Sequence, residues 1–178
     1  MANLTFPKSA LEPRANLPTG MIQVIFNGFK PKLSKNKEKP SVNMNPELKV
    51  INDSRNDASG KPLNGQRVFE NLNLSFLPRV QDFCHAFGLV MTEDGDDVQL
   101  PGYFDGDTAS PDPANWGQYH GPLQGEIATL ELCETQAQKK DAGGNYVLDP
   151  TKTRTEIKRY ICRVPNCQVQ HMESLIQS

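Results

Sequence analysis

The sequence predicts a mainly β fold, and three observations carry that prediction. Apolar residues alternate with polar ones in several separate stretches of the 178-residue chain, the period-two signature of half-buried strands. Only residues 77–89 switch to helical spacing. The 13 glycines and 14 prolines gather between these stretches, where turns belong. Apolar residues make up 37% and mean hydropathy is -0.57, enough for one modest core with long exposed connections. No apolar run approaches the roughly 18 residues needed to span a bilayer. The N-terminus lacks a charged segment followed by an apolar one, so no secretory signal is visible. A soluble intracellular protein with no membrane partner is expected.

Residues 1–19, punctuated by proline and without period, read as an arm. A first strand begins at Gly20, with Ile22, Val24 and Phe26 on the inward face and Gln23, Asn27 and Phe29 on the outward one. A lysine-rich connection, residues 30–40, follows. The second strand holds Val42, Met44, Leu48 and Val50 inward, and Pro46 marks a bulge or an edge. Residues 52–65 are dense in turn formers. The third strand, residues 67–75, turns Val68, Leu72 and Leu74 inward and Arg67, Phe69, Asn71 and Asn73 outward. Next comes the helix, with Leu77, Val80, Phe83, Cys84 and Phe87 on one stripe. Ser75 is its candidate cap, Pro78 suits the first turn and Gly88 the C-terminal cap. Residues 90–124 form an acidic insertion too long for a simple connection. The fourth strand carries Ala128, Leu130 and Leu132 inward, residues 136–153 read as a loop, and a last strand covers residues 154–164. Residues 165–178 are a tail.

Strand, strand, strand, helix, strand, strand is the element order of the OB-fold, a five-stranded Greek-key barrel with a helix between strands three and four. The domain so defined spans residues 20–164. Its charges are uneven although the net charge is only -2. Residues 30–67 carry nine Lys/Arg against four acids, residues 139–163 seven against three, and residues 93–112 seven acids and no base. The basic blocks fall in the connections between strands one and two and between strands four and five. Those two loops flank the groove in which OB-folds bind oligonucleotides, so separate basic blocks there can meet a phosphate backbone.

On these features the chain resembles the single-stranded DNA-binding OB-fold proteins encoded in bacteriophage replication and recombination modules. The resemblance is carried by GMIQV at 20–24, VFENL at 68–72 leading into FCHAFGL at 83–89, LQGEIA at 123–128 and EIKRY at 156–160. It implies a non-catalytic protein, without cofactor, that coats and protects single-stranded DNA in the cytoplasm of an infected bacterial host. Binding along a strand is commonly cooperative, so self-association is expected, through the arm or the tail. Bacterial-type members end in an acidic tail that recruits partners, whereas this chain ends HMESLIQS, almost uncharged.

Sequence-independent binding of a single strand needs cations for the backbone and flat rings for the bases. The candidate cations are Lys32, Lys35, Lys37 and Lys39 in the first basic block, Arg67 on strand three, and Lys139, Lys140, Lys152, Arg154 and Lys158 in the last block. Phe69, an aromatic on an otherwise polar face, is the leading stacking candidate; the alternative is a half-buried packing role. Tyr160 is ambiguous because strand five alternates poorly. Of the loop aromatics Trp116, Tyr119 and Tyr146, one is expected to touch DNA. The acidic stretch 93–112 is a solvated loop, a groove occupant in the unbound state, or a contact for a partner. The last role defines the rival reading, an OB-like protein-interaction adaptor of a phage.

Other chemistry is weakly signalled. Four cysteines in an intracellular chain argue against a disulfide framework. Cys162, Cys167 and His171 are spaced C-x4-C-x3-H, with Cys133 or His120 as a fourth zinc ligand, but the spacing matches no standard finger. Asp105, Asp107 and Asp112 hint at calcium without a closing Glu. No P-loop, dinucleotide fingerprint or nucleophile elbow is present.

Overall fold

A computed structural model describes residues 16–165. Its strands are β1 (Gly20–Leu33), β2 (Val42–Ile51), β3 (Arg67–Val68), β4 (Leu72–Asn73), β5 (Thr92–Asp94), β6 (Asp97–Gln99), β7 (Tyr103–Phe104), β8 (Tyr119–His120), β9 (Ile127–Lys140) and β10 (Tyr146–Tyr160). The helix α1 covers Leu77–Ala86, and a 3-10 turn covers Pro113–Trp116. The fold is mainly β and its described pairings are antiparallel. The main sheet runs β10-β9-β1-β2-β3, with β4 also on β2. The predicted barrel does not close as a hydrogen-bonded sheet: β10 and β3 are left as its two edges.

The inward alternation of β1, β2 and β9 is as expected, with Ile22, Val24, Phe26, Met44, Leu48, Val50, Ala128, Leu130 and Leu132 all buried. Phe29 is a correction. The β1–β2 register shifts between Phe26 and Phe29, with Phe26 opposite Leu48 and Phe29 opposite Pro46. One extra residue on β1 reverses the strand's facing, so Phe29 points into the core, buried like Phe26. Gly28 supplies the positive φ of 136° that the bulge requires. On the β9 side of β1, the exit of the insertion meets the backbone around the bulge. Gln124 Nε2 donates to the Asn27 carbonyl at 3.0 Å, Gly125 N to the Phe26 carbonyl at 2.9 Å, and Phe26 N to the Glu126 carbonyl at 3.0 Å.

The third strand breaks into β3 and β4, but Val68 and Leu72 are buried and Arg67 and Phe69 exposed, as the alternation requires. α1 buries Val80, Phe83, Cys84 and Ala86. Its N-cap is Phe76, with no side-chain bond, rather than Ser75; the Ser75 N–H donates instead to Asn73 Oδ1 at 2.8 Å. The C-terminus closes as the sequence suggests. Gly88 has φ of 80°, its N–H reaches the His85 carbonyl, and the Leu89 N–H reaches that of Cys84, each at 3.0 Å.

The insertion is ordered. It forms the hairpins β5–β6 and β7–β8 and lays Phe104, Trp116 and Tyr119 against the core. Phe26 makes edge contacts with Phe29, Phe83, Phe87 and Tyr119 at 4.7–6.0 Å between centroids, an arrangement worth about 0.5–1.5 kcal/mol per pair beyond burial. The stretch 136–153, expected as a loop, is mostly strand: β9 and β10 pair as far as Tyr146 opposite Lys140. This hairpin leaves the core, so both faces meet water and the apolar alternation that signals a strand is missing. The last strand correspondingly spans 146–160 instead of 154–164.

Candidate nucleic-acid interface

The gap between the two sheet edges is bridged by side chains. Glu70 follows β3, Arg79 projects from α1 and Tyr160 ends β10. Arg79 donates to Glu70 Oε2 at 2.8 Å and to the Ile157 carbonyl at 3.2 Å. Its guanidinium lies 4.5 Å from the centre of the Tyr160 ring, and the Tyr160 hydroxyl donates to Glu70. Burial, and then the neighbouring Glu70 charge, raise the Tyr160 hydroxyl well above its ordinary pKa, so it stays a proton donor to that carboxylate.

A surface groove follows this seam in two sections. One, of about 790 Å³, is lined by Lys30, Lys32, Arg67, Phe69, Arg79 and Arg154 among others, with Glu70 and Glu156 as its acids. The other, of about 750 Å³, runs over the 57–66 loop and past Asn16, Leu17 and Lys61. Both sections share Arg67, Phe69, Arg154 and Thr155. Phe69 therefore stands at their junction, 65% exposed, with the Arg67 guanidinium 5.7 Å from its ring centre.

Several groove cations are already paired. Lys30 and Arg67 reach Glu47 at 2.8 and 3.4 Å, and Arg154 pairs with Glu156. Lys32 makes no ion pair among the described residues. It continues β1, with Lys30, instead of lying in the loop where the sequence placed the lysine block. Lys35, Lys37 and Lys39 are exposed in the turn beyond, where Asn36 Oδ1 accepts from the Glu38 and Lys39 amides.

The second section is shaped by a turn built on Asp57. Asp57 Oδ1 accepts from Ser59 N, Ser59 Oγ and Lys61 N at 2.6–3.0 Å, and Oδ2 from Gln66 Nε2 at 2.9 Å. These donors, the Ser59 hydroxyl foremost, bring its pKa down to about 2. The end of the arm closes the far side: Asn16 Nδ2 donates to the Thr153 carbonyl at 3.0 Å, and Thr155 Oγ1 to the Leu17 carbonyl at 2.7 Å.

Other expected site residues lie elsewhere. Tyr119 is a core residue, buried between Phe26, Phe29 and Phe104, and its hydroxyl donates to the Pro101 carbonyl. Neither face of its ring is open to a base. Trp116 is partly buried against Phe104, with Nε1 donating to the Ser110 carbonyl at 3.2 Å. Tyr160 packs edge-on against Phe83 within the latch. Lys158 is the bulged residue between Ile157 and Arg159, and both cations bind Glu131. Lys139, Lys140 and Tyr146 occupy the tip of the β9–β10 hairpin, with Lys140 5.3 Å from the Tyr146 ring centre, and Lys152 sits at a bulge in β10. None of these lines the groove.

Glu70 and Arg79 were missed by the sequence reading. A signal existed for Glu70, which shares the inward parity of Val68 and Leu72, an unusual place for a carboxylate. None existed for Arg79, whose role depends on where α1 lands.

The acidic insertion spends several carboxylates on itself. Asp105 accepts from Gln118 N at 2.6 Å and pairs with His120 Nε2 at 2.8 Å, which lowers its pKa. Asp107 and Asp112 accept from Ala109 N and Ala114 N, so the calcium-like cluster is a set of turn caps. Among the described residues no group of His, Cys, Asp or Glu is arranged to hold a metal ion. Cys84 and Cys133 are free thiols, and burial pushes Cys84 up to about 12. Cys162 is disulfide-bonded, against the expectation from compartment, which removes it as a zinc ligand. Cys167, His171 and the tail lie outside the described residues. No described helix is long and apolar enough to cross a membrane.

No known family matches the chain and no curated protein is similar to it.

Proposed function

We propose that this chain is an OB-fold protein that binds single-stranded DNA without catalysis, coating it during phage replication or recombination in an infected bacterium. The antiparallel neighbour order β10-β9-β1-β2-β3, with a helix between β4 and β9, supports the OB-fold reading. The observation that carries the reading is Phe69: an exposed ring at the junction of two groove sections, flanked by Arg67 and Arg154. A base stacks on that ring whatever its identity, while Lys32, Arg67 and Arg154 face the phosphates on either side. Glu47 and Glu156 hold two of these cations in place until phosphate replaces them.

The test is fluorescence anisotropy with a labelled oligo-dT at several salt concentrations, with duplex as competitor. Submicromolar binding that ignores duplex is expected. Displacement of about three phosphate counterions sets a log–log salt slope of about -2. Absence of binding at low salt overturns the reading and leaves the adaptor alternative.

A further inference from the structure

An apolar cleft of about 320 Å³ opens between α1, β4 and the β5–β6 hairpin. It reaches down to Phe29, Met44 and Leu72, which are buried, and its lips are Leu77 and Val98, 43% and 45% exposed. Register fixes which face of the hairpin lines it. Val98, opposite Glu93, shares the face of Met91 and Leu100, whereas Thr92, opposite Gln99, takes the outer face. The open slot leaves apolar area in water, so a segment that fills it gains free energy by burial.

The last described residues are anchored on the same helix. The Arg163 N–H donates to the His85 carbonyl in the last turn of α1 at 3.0 Å. Arg163 Nη1 donates to the Ile127 carbonyl at 2.6 Å, and Val164 is buried. Residues 166–178 leave from this anchor. Within them Val169, Met172 and Ile176 recur at i, i+3 and i+7, with Leu175 widening the stripe, the spacing of one helical face. Val80 and Leu77 lie six and nine residues before Ala86, about 9 and 14 Å back along α1. Met172 and Ile176 lie seven and eleven residues beyond Pro165, about 10 and 16 Å on the same helical measure. The two lengths match.

We infer that residues 169–176 fold back on their own chain and fill the α1/β5–β6 cleft, with Val169, Met172 and Ile176 toward its floor. The tether decides between occupants. A segment joined to its anchor by a few residues is present at an effective concentration in the millimolar range. A free partner, or the same segment of another copy, competes only at its bulk concentration. The cleft is separate from the groove, so this inference is independent of strand binding.

The experiment is hydrogen exchange by mass spectrometry on the full chain, without DNA, at low and high protein concentration. In the wild type the amides of 169–176 are expected to exchange at least about tenfold more slowly than an unstructured chain, equally at both concentrations. Met172→Glu on the stripe removes that protection, and so does Val98→Lys at the lip. Thr92→Lys, on the outer face of the same hairpin, keeps it. Slow exchange of the β1 amides in the same digests shows that a variant has kept its fold, and Leu77→Lys at the other lip replaces Val98→Lys if that one has not. Unprotected wild-type amides overturn the inference. So does protection that survives the lip substitution, because the segment then rests elsewhere. Protection that rises with concentration also overturns it, in favour of the segment of a second copy.

Discussion

Phe69 is the residue on which alternation, exposure and chemistry meet. Its neighbours on the same face are polar, its ring is 65% exposed among the described residues, and its cation partner is Arg67. Truncating an exposed ring costs little stability, within about 0.5 kcal/mol, whereas losing one base stack costs about 1–3 kcal/mol of binding. Phe69→Ala is therefore expected to weaken oligo-dT binding roughly 5- to 150-fold with an unchanged melting temperature, and Phe69→Tyr to restore it. Unchanged affinity with a lowered melting temperature assigns Phe69 to packing instead. Phe29 teaches the opposite lesson at the same scale. Simple parity put it outside, and the extra residue at the Gly28 bulge put it inside. The cue was Pro46, which lacks the N–H that a continuous ladder needs there.

Among the elements, the periodic ones were legible and the projecting ones were not. β1, β2 and β9 bury one face each, so their alternation survives in the sequence, as does the stripe of α1. The outer half of β9–β10 buries neither face, and its polar run TQAQKK reads as loop for that reason. The seam is illegible for another reason: the Glu70, Arg79 and Tyr160 latch joins three elements remote in sequence. With Glu70 and Arg79 largely covered, removing the carboxylate leaves a guanidinium and a phenol hydroxyl short of their acceptor. Glu70→Ala is expected to cost about 1–3 kcal/mol, read as a lower urea midpoint at constant slope. An unchanged midpoint means the latch does not hold the seam.

For the molecule as a whole, charge is organised by local pairing more than by the two basic blocks and one acidic block visible in the sequence. Groove cations borrow Glu47, Glu70 and Glu156, and the insertion's aspartates cap its own turns. Asp53, Asp57, Asp105, Glu131 and Asp149 all sit below the ordinary carboxylate range, each held there first by a side-chain hydrogen bond: from Arg55, Ser59, His120, Lys158 and Thr151 respectively. A carboxylate depressed in the folded state is protonated more readily in the unfolded one. Its stabilisation is complete above the unfolded value of about 4 and is lost as pH falls through the folded value. The melting temperature is expected to change little from these groups above pH ~5 and to fall between pH ~4 and ~2, Asp57 titrating at about 2. A melting temperature that holds to the bottom of that window contradicts this assignment.

The unpaired seam has one more consequence. A backbone ladder fixes neighbouring strands about 4.8 Å apart, so a barrel closed by a ladder has rigid walls. Here one wall carries Phe69 and the other Arg154, and among the described residues the Glu70 carboxylate, the Arg79 guanidinium and the Tyr160 phenol bridge the seam. Such a joint is compliant: rotamer changes widen or narrow it without breaking a β-ladder. On the proposed reading, a groove hinged on side chains parts for a purine and settles back on a pyrimidine, a mechanical tolerance that a ligand of varying sequence would require.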